Sequence, residues 1–78
     1  KMKKEIHIFG SLVDMIGANK ITLEEIQDSD VLLNVLHQKF PLLADKKMLI
    51  AIDKKIITSK TIFHSSSEIA LLPPFSGG

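Results

Sequence analysis

A chain of 78 residues without a single cysteine must hold itself together by side-chain packing alone. Domains of this size bury only ~60% of the surface that their unfolded chain exposes, and many need covalent or metal staples. The missing thiols exclude disulfides, thiolate zinc sites, iron–sulfur ligation and cysteine nucleophiles together. What remains is aliphatic packing, and the 45% of residues that are hydrophobic provide it for one core and one domain.

The charge balance narrows the partners. Ten basic residues, all of them lysine, face nine Asp and Glu, for a formal net charge of +1. With no arginine and no aromatic residue except four Phe, the chain lacks the clustered Arg and stacking rings of a nucleic-acid reader. No window approaches the ~18 consecutive apolar residues of a membrane span. Residues 1–9 start basic but then alternate polar and apolar, unlike the continuous apolar stretch of a secretory signal, so the expected location is the cytoplasm.

Periodicity divides the rest into short elements. Ile6 and Ile8 alternate with Glu5, His7 and Phe9, which predicts a half-buried first strand closed by Gly10. Ser11-Leu12-Val13-Asp14 has the form of a capping box, and Gly17 suits a left-handed helix end, so a short helix is expected between them. Ile21, Leu23 and Ile26 predict a strand over 20–26. Asp28-Ser29-Asp30 offers N-cap oxygens and negative charge, after which Val31, Leu32, Val35, Leu36 and Phe40 repeat at helical spacing up to Pro41. This is the main helix. Met48 to Ile52 reads as a buried strand, Asp53-Lys54-Lys55 as a turn, Ile56, Ile57 and Ile62 as a strand followed by a turn, and Glu68 to Leu72 as a last strand. The order describes an α+β fold, a mixed sheet packed on one main helix, with residues 1–72 as the domain and 73–78 as a flexible tail.

The tail carries the chemistry. Pro73-Pro74 removes two backbone donors and restricts the chain to extended angles, which presets an outward exit from the last strand. From Pro74 to Gly78 an extended chain reaches about 17 Å, enough to enter a deep pocket of a partner. Gly77 and Gly78 lack Cβ atoms, so a narrow channel can close around them and no bulk stands beside the final carboxylate. That carboxylate, ionised at neutral pH, is a poor electrophile until something else activates it. ATP would do so through an acyl adenylate, but this chain has no G-x-x-x-x-G-K-[ST] loop with which to bind ATP itself.

Glu68-Ile69-Ala70-Leu71-Leu72-Pro73-Pro74-Phe75-Ser76-Gly77-Gly78 resembles the C-terminus of the molybdopterin synthase small subunits, the MoaD members of the ThiS/MoaD ubiquitin-like sulfur carriers, which typically reads D-E-V-A-F-x-P-P-V-[ST]-G-G. The order of the remaining elements agrees over the whole chain. Departures are Phe75 in place of Val, Asp53 where Asn is common, and Ser65-Ser66-Ser67 in place of an Asp-Gly-Asp turn.

The resemblance implies a ubiquitin-like β-grasp whose terminal glycine, Gly78 here, is adenylated by an E1-like enzyme using ATP and then converted to a thiocarboxylate. Gly77, Ser76, Phe75, Pro74 and Pro73 would thread into the large subunit of a heterotetramer, where sulfur passes to cyclic pyranopterin monophosphate in molybdenum cofactor biosynthesis. On that reading the chain binds no cofactor and has no activity alone. A carrier gripped by two enzymes needs exposed apolar side chains on its sheet, expected on the last strand at Leu71 and Leu72. The alternatives are a sulfur carrier for thiamine, cysteine or tRNA thiolation, and a ubiquitin-like interaction or conjugation module without sulfur chemistry.

The other chemistry-bearing residues read as ordinary surface. His7, His37 and His64 fall on a strand, a helix and a loop without metal-ligand spacing, so no metal site is expected. Thr58, Ser59 and Ser65 to Ser67 lack a G-x-S-x-G elbow and suit turns. Glu24, Glu25, Asp28 and Asp30 suit a solvated strand end and helix start, and Lys46-Lys47 and Lys54-Lys55 suit solubilising turns.

Overall fold

The computed structural model describes residues 3–74; Lys1, Met2 and Phe75 to Gly78 lie outside them. Five strands form one sheet: β1 (Lys3–Ile8), β2 (Lys20–Glu24), β3 (Leu49–Ile52), β4 (Lys55–Ile56) and β5 (Ile69–Leu72). Their spatial order is β2-β1-β5-β3-β4, with β1 and β5 parallel at the centre and the other pairs antiparallel. A short helix α1 (Leu12–Ile16) follows β1, and the main helix α2 (Ser29–Lys39) connects β2 to a 3₁₀ turn (Pro41–Asp45). This is the expected two-layer α+β, ubiquitin-like β-grasp.

Helix α2 forms where the punctuation places it. The Asp28 side chain accepts a 2.9 Å hydrogen bond from the Val31 N–H, capping a donor that has no partner inside the helix. Pro41 disfavours helical angles at Phe40, which ends the helix with its N–H on the Leu36 carbonyl. Leu32 and Leu36 are fully buried against Ile6, Ile8, Ile50, Ile69 and Leu71, whose side chains share the inner face of the sheet.

Three local expectations change. Ser11 makes no side-chain cap and already has helical angles; the turn into α1 is closed instead by the Val13 N–H on the Gly10 carbonyl. The capping box fails because a five-residue helix leaves Ser11 inside the tight turn that follows β1. Strand β2 stops at Glu24 rather than Ile26, since Glu25 turns to a φ of 60° and delivers Ile26 into the core outside the ladder. Ile62 joins no strand; it makes an isolated bridge with Asp28 and stays 67% exposed.

Asp53 and Lys54, with φ of 51° and 70°, form the two-residue turn between β3 and β4, the positive-φ geometry that matches strand twist. The Asp53 carboxylate also accepts from the Glu68 N–H at 2.9 Å, and the Asp53 N–H donates to the Glu68 carbonyl. The start of β5 is thereby pinned to the β3 end. Lys4 is a charged residue in the core: its position on β1 faces inward with Ile6 and Ile8, and its buried ammonium donates to the His64 carbonyl.

Candidate functional site

Strand parity decides what the tail leaves behind it. On β5, Ile69 and Leu71 point inward and are fully buried, while Ala70 and Leu72 belong to the opposite face and are half-buried. Leu71 therefore fills the core and its side chain is not part of an exposed docking surface; only Leu72 of the expected pair is. The reason is the two-residue period of a strand, which an unbroken apolar run conceals.

Around Leu72 the outer face is apolar. Leu72, Ala70, Ala51, Ile56 and Phe9 line an open groove of about 400 Å³, with His7, Lys54 and Glu68 contributing its polar edge. Phe9 and Ile56 are 49% and 44% exposed, so large apolar side chains face water on a sheet whose other face already supplies the core. Such patches on small domains mark contact surfaces. The register explains the gathering: Leu49 stands opposite Leu72, Ala51 opposite both Ala70 and Ile56, and His7 beside Ala70.

Pro73 and Pro74 follow directly from this groove, Pro73 half-buried and Pro74 exposed. The Phe9 N–H donates to the Leu71 carbonyl at 3.0 Å, and the next donor of that parallel ladder would be the N–H of residue 73, which proline lacks. The strand pairing stops there for a chemical reason. Of the expected site residues, Leu72, Pro73 and Pro74 are brought together at the groove's edge, whereas Phe75, Ser76, Gly77 and Gly78 lie outside the described residues.

Phe9, Ile56, Ala70 and Ala51 were not expected at this site. A signal existed for Phe9, an aromatic residue sharing strand parity with Glu5 and His7 on an otherwise polar face. Ile56 carried none, because the hairpin that lifts it onto the sheet depends on two non-glycine residues adopting positive φ.

His7, His37 and His64 stay apart on β1, α2 and a loop, and among the described residues no group of three His, Asp or Glu side chains has a metal-binding arrangement. No helix among the described residues is long and apolar enough to cross a membrane.

The ThiS family matches residues 6–78. A chain of the complex of subunits 1 and 2 of molybdopterin-converting factor from Helicobacter pylori is similar at 26% identity and a TM-score of 0.72, over 99% of this chain and 100% of that one. The solution structure of small archaeal modifier protein 1 from Methanosarcina acetivorans shares the fold at 24% identity and a TM-score of 0.77, over 97% and 96% of the two chains. The corresponding crystal structure from Haloferax volcanii does so at 19% identity and a TM-score of 0.76, over 97% and 99%.

Proposed function

The chain belongs to the ThiS family, and from that membership we propose that it is a sulfur carrier, the small subunit of molybdopterin synthase, acting in the cytoplasm. The observation that carries this reading is the continuity between an exposed apolar groove and the strand from which Pro73-Pro74 departs toward Gly77-Gly78. One surface grips the body of the carrier while the tail beside it enters a partner.

The chemistry asks little of the chain beyond a carboxylate at Gly78. In the reading proposed, an E1-like enzyme binds ATP; a Gly78 carboxylate oxygen attacks its α-phosphorus, forming the acyl–phosphate bond and releasing pyrophosphate. A hydrosulfide equivalent then attacks the acyl carbon and AMP leaves, giving the thiocarboxylate. In the large subunit the sulfur would pass on to cyclic pyranopterin monophosphate, with water supplying the oxygen that restores the Gly78 carboxylate. Gly77 and Gly78 let the partner's channel close on the backbone, and Leu72, Phe9 and Ile56 dock the domain.

Intact mass measured after incubation with the activating enzyme, ATP and a sulfur source tests the proposal: one oxygen should be exchanged for one sulfur at Gly78. An unchanged mass with an enzyme that modifies a known carrier would overturn it. A carrier for thiamine, cysteine or tRNA thiolation would give the same mass change but fail to supply sulfur to the pterin with the large subunit present.

A second reading is favoured by the likeness to the archaeal modifier proteins. There the same adenylate would be passed to a lysine amine, forming an isopeptide. Covalent adducts of the chain on other proteins, without a thiocarboxylate form, would select it.

A further inference from the structure

The parallel ladder that pairs Ile6 with Ile69 and Ile8 with Leu71 ends there, and just beyond it Gly10 lies beside Pro73. Gly10 has a φ of 62°, and a Cβ built on it would lie 2.8 Å from Pro73 Cγ and 3.1 Å from Pro73 Cδ. Carbon atoms in ordinary contact sit ~3.5 to 4.0 Å apart. The atoms in the way belong to a ring closed on its own backbone, so they cannot swing aside as the end of a flexible side chain would. A side chain at residue 10 therefore forces a shift of backbone where the Gly10 turn meets the root of the tail.

We propose that Gly10 is a positioning residue for acyl transfer: by lacking a Cβ it forms the seat against which the Pro73 ring packs, and so fixes the direction in which the tail leaves the domain. The inference rests on the carrier reading above for its consequence, though not for its geometry. Pro73 has surrendered its ladder hydrogen bond and needs some other contact to fix it. The turn at Gly10 is itself held, because the Gly10 carbonyl accepts from the Val13 N–H at the start of α1. The seat is thus tied to β1 on one side and α1 on the other.

The chain contains its own control. Gly17, at the other end of α1, has a φ of 88° and nothing within 4 Å of a built Cβ. Alanine at either position meets an unfavourable left-handed conformation, but only Gly10→Ala also strikes the tail. A misplacement of about 1 Å can cost on the order of 10²-fold in rate. Outside its own chain neighbours, a Cβ at residue 10 meets only Pro73, which does not line the groove, so the change should fall on kcat rather than KM.

Initial rates of pyrophosphate release, with the source organism's E1-like adenylating enzyme and ATP, would be measured for the wild type, Gly10→Ala, Gly17→Ala, Pro73→Ala and the Gly10→Ala/Pro73→Ala double variant. Gly10→Ala should lower kcat at least tenfold with KM within twofold, and Gly17→Ala should leave both within twofold. The double variant should match Pro73→Ala alone, since the clashing ring is gone. Equal kcat for Gly10→Ala and Gly17→Ala, or an unrelieved loss in the double variant, would overturn the proposal. A second measurement needs no variant to fold: nuclear Overhauser contacts between the Gly10 Hα atoms and the Pro73 ring should be present in the wild type, and their absence overturns the seat. If the wild type releases no pyrophosphate, the carrier reading falls together with Gly10's part in transfer, and the Overhauser contacts still decide whether the packing exists.

Discussion

Leu71 and Leu72 are identical residues joined by one peptide bond, yet they belong to different parts of the protein. Leu71 is completely enclosed by the inner face of the sheet and α2, while Leu72 lies half-buried on the outer face, on an open groove. The inner face is apolar because the fold requires it. The outer face is divided: its β2–β1 half carries Lys3, Glu5, Lys20 and Glu24, and its β5–β3–β4 half carries Ala70, Leu72, Ala51 and Ile56. A charged surface is thus compatible with the outer face of this sheet, so stability does not account for the apolar half. The proposed docking role does.

The contrast is sharpest in stability. Leu71→Ala removes a fully buried side chain from a core that has no disulfide to support it, and should cost about 2–5 kcal/mol of unfolding free energy in urea titration. Leu72→Ala should cost under about 1 kcal/mol by the same measurement. Equal losses would mean that the groove is simply a second piece of core.

In binding the order reverses. Leu72→Asp puts a charge on the apolar half at the edge of the groove, beside the root of the tail, and should weaken affinity for the proposed large-subunit partner at least tenfold, ~1.4 kcal/mol, read by calorimetry or surface resonance. Ile56→Lys, at the far end of the groove and on the edge strand, should weaken it several-fold. If Leu72→Asp binds as the wild type does, the outer face is not the docking surface and the tail alone holds the partner.

The sequence disclosed these regions unequally, for physical reasons. Helix α2 was legible because Asp28 and Pro41 act on the backbone within a few bonds of themselves, through a cap and a steric block. The end of β5 was legible because Pro73 lacks the N–H that the ladder would use next. The split between Leu71 and Leu72 was not, because Ile69-Ala70-Leu71-Leu72 is apolar throughout and its phase is set by pairing with β1, where Ile6 meets Ile69. Lys4 misleads in the other direction: its parity with Ile6 and Ile8 marks it as inward-facing, but a lysine reads as surface until a carbonyl such as that of His64 is found to receive it. The end of β2 was hidden because a positive φ at Glu25 is imposed by the packing of Ile26, not by any preference of glutamate.

The smallest expected effects lie in the charged half, and they bound the comparison from below. Lys3 approaches Glu24 at 3.9 Å, directly across the β1–β2 pair, and Lys20 approaches Glu5 at 3.8 Å on the diagonal, all four side chains about half exposed or more. Exposed pairs of this kind gain little, because water and salt screen the attraction and two long side chains lose freedom to make it. A double-mutant cycle on Lys20→Ala and Glu5→Ala should give a coupling of about 0.2–1 kcal/mol that shrinks as sodium chloride is raised, with affinity for the large subunit within twofold of the wild type. These residues stand on the same face as Leu72, Glu5 on the neighbouring strand and Lys20 one strand further, so the experiment asks whether docking uses the whole outer face or only its apolar half. A loss of affinity here as large as that of Leu72→Asp would extend the contact surface over β2 and remove the distinction between the halves. An unchanged affinity confines it to the strands that flank the tail.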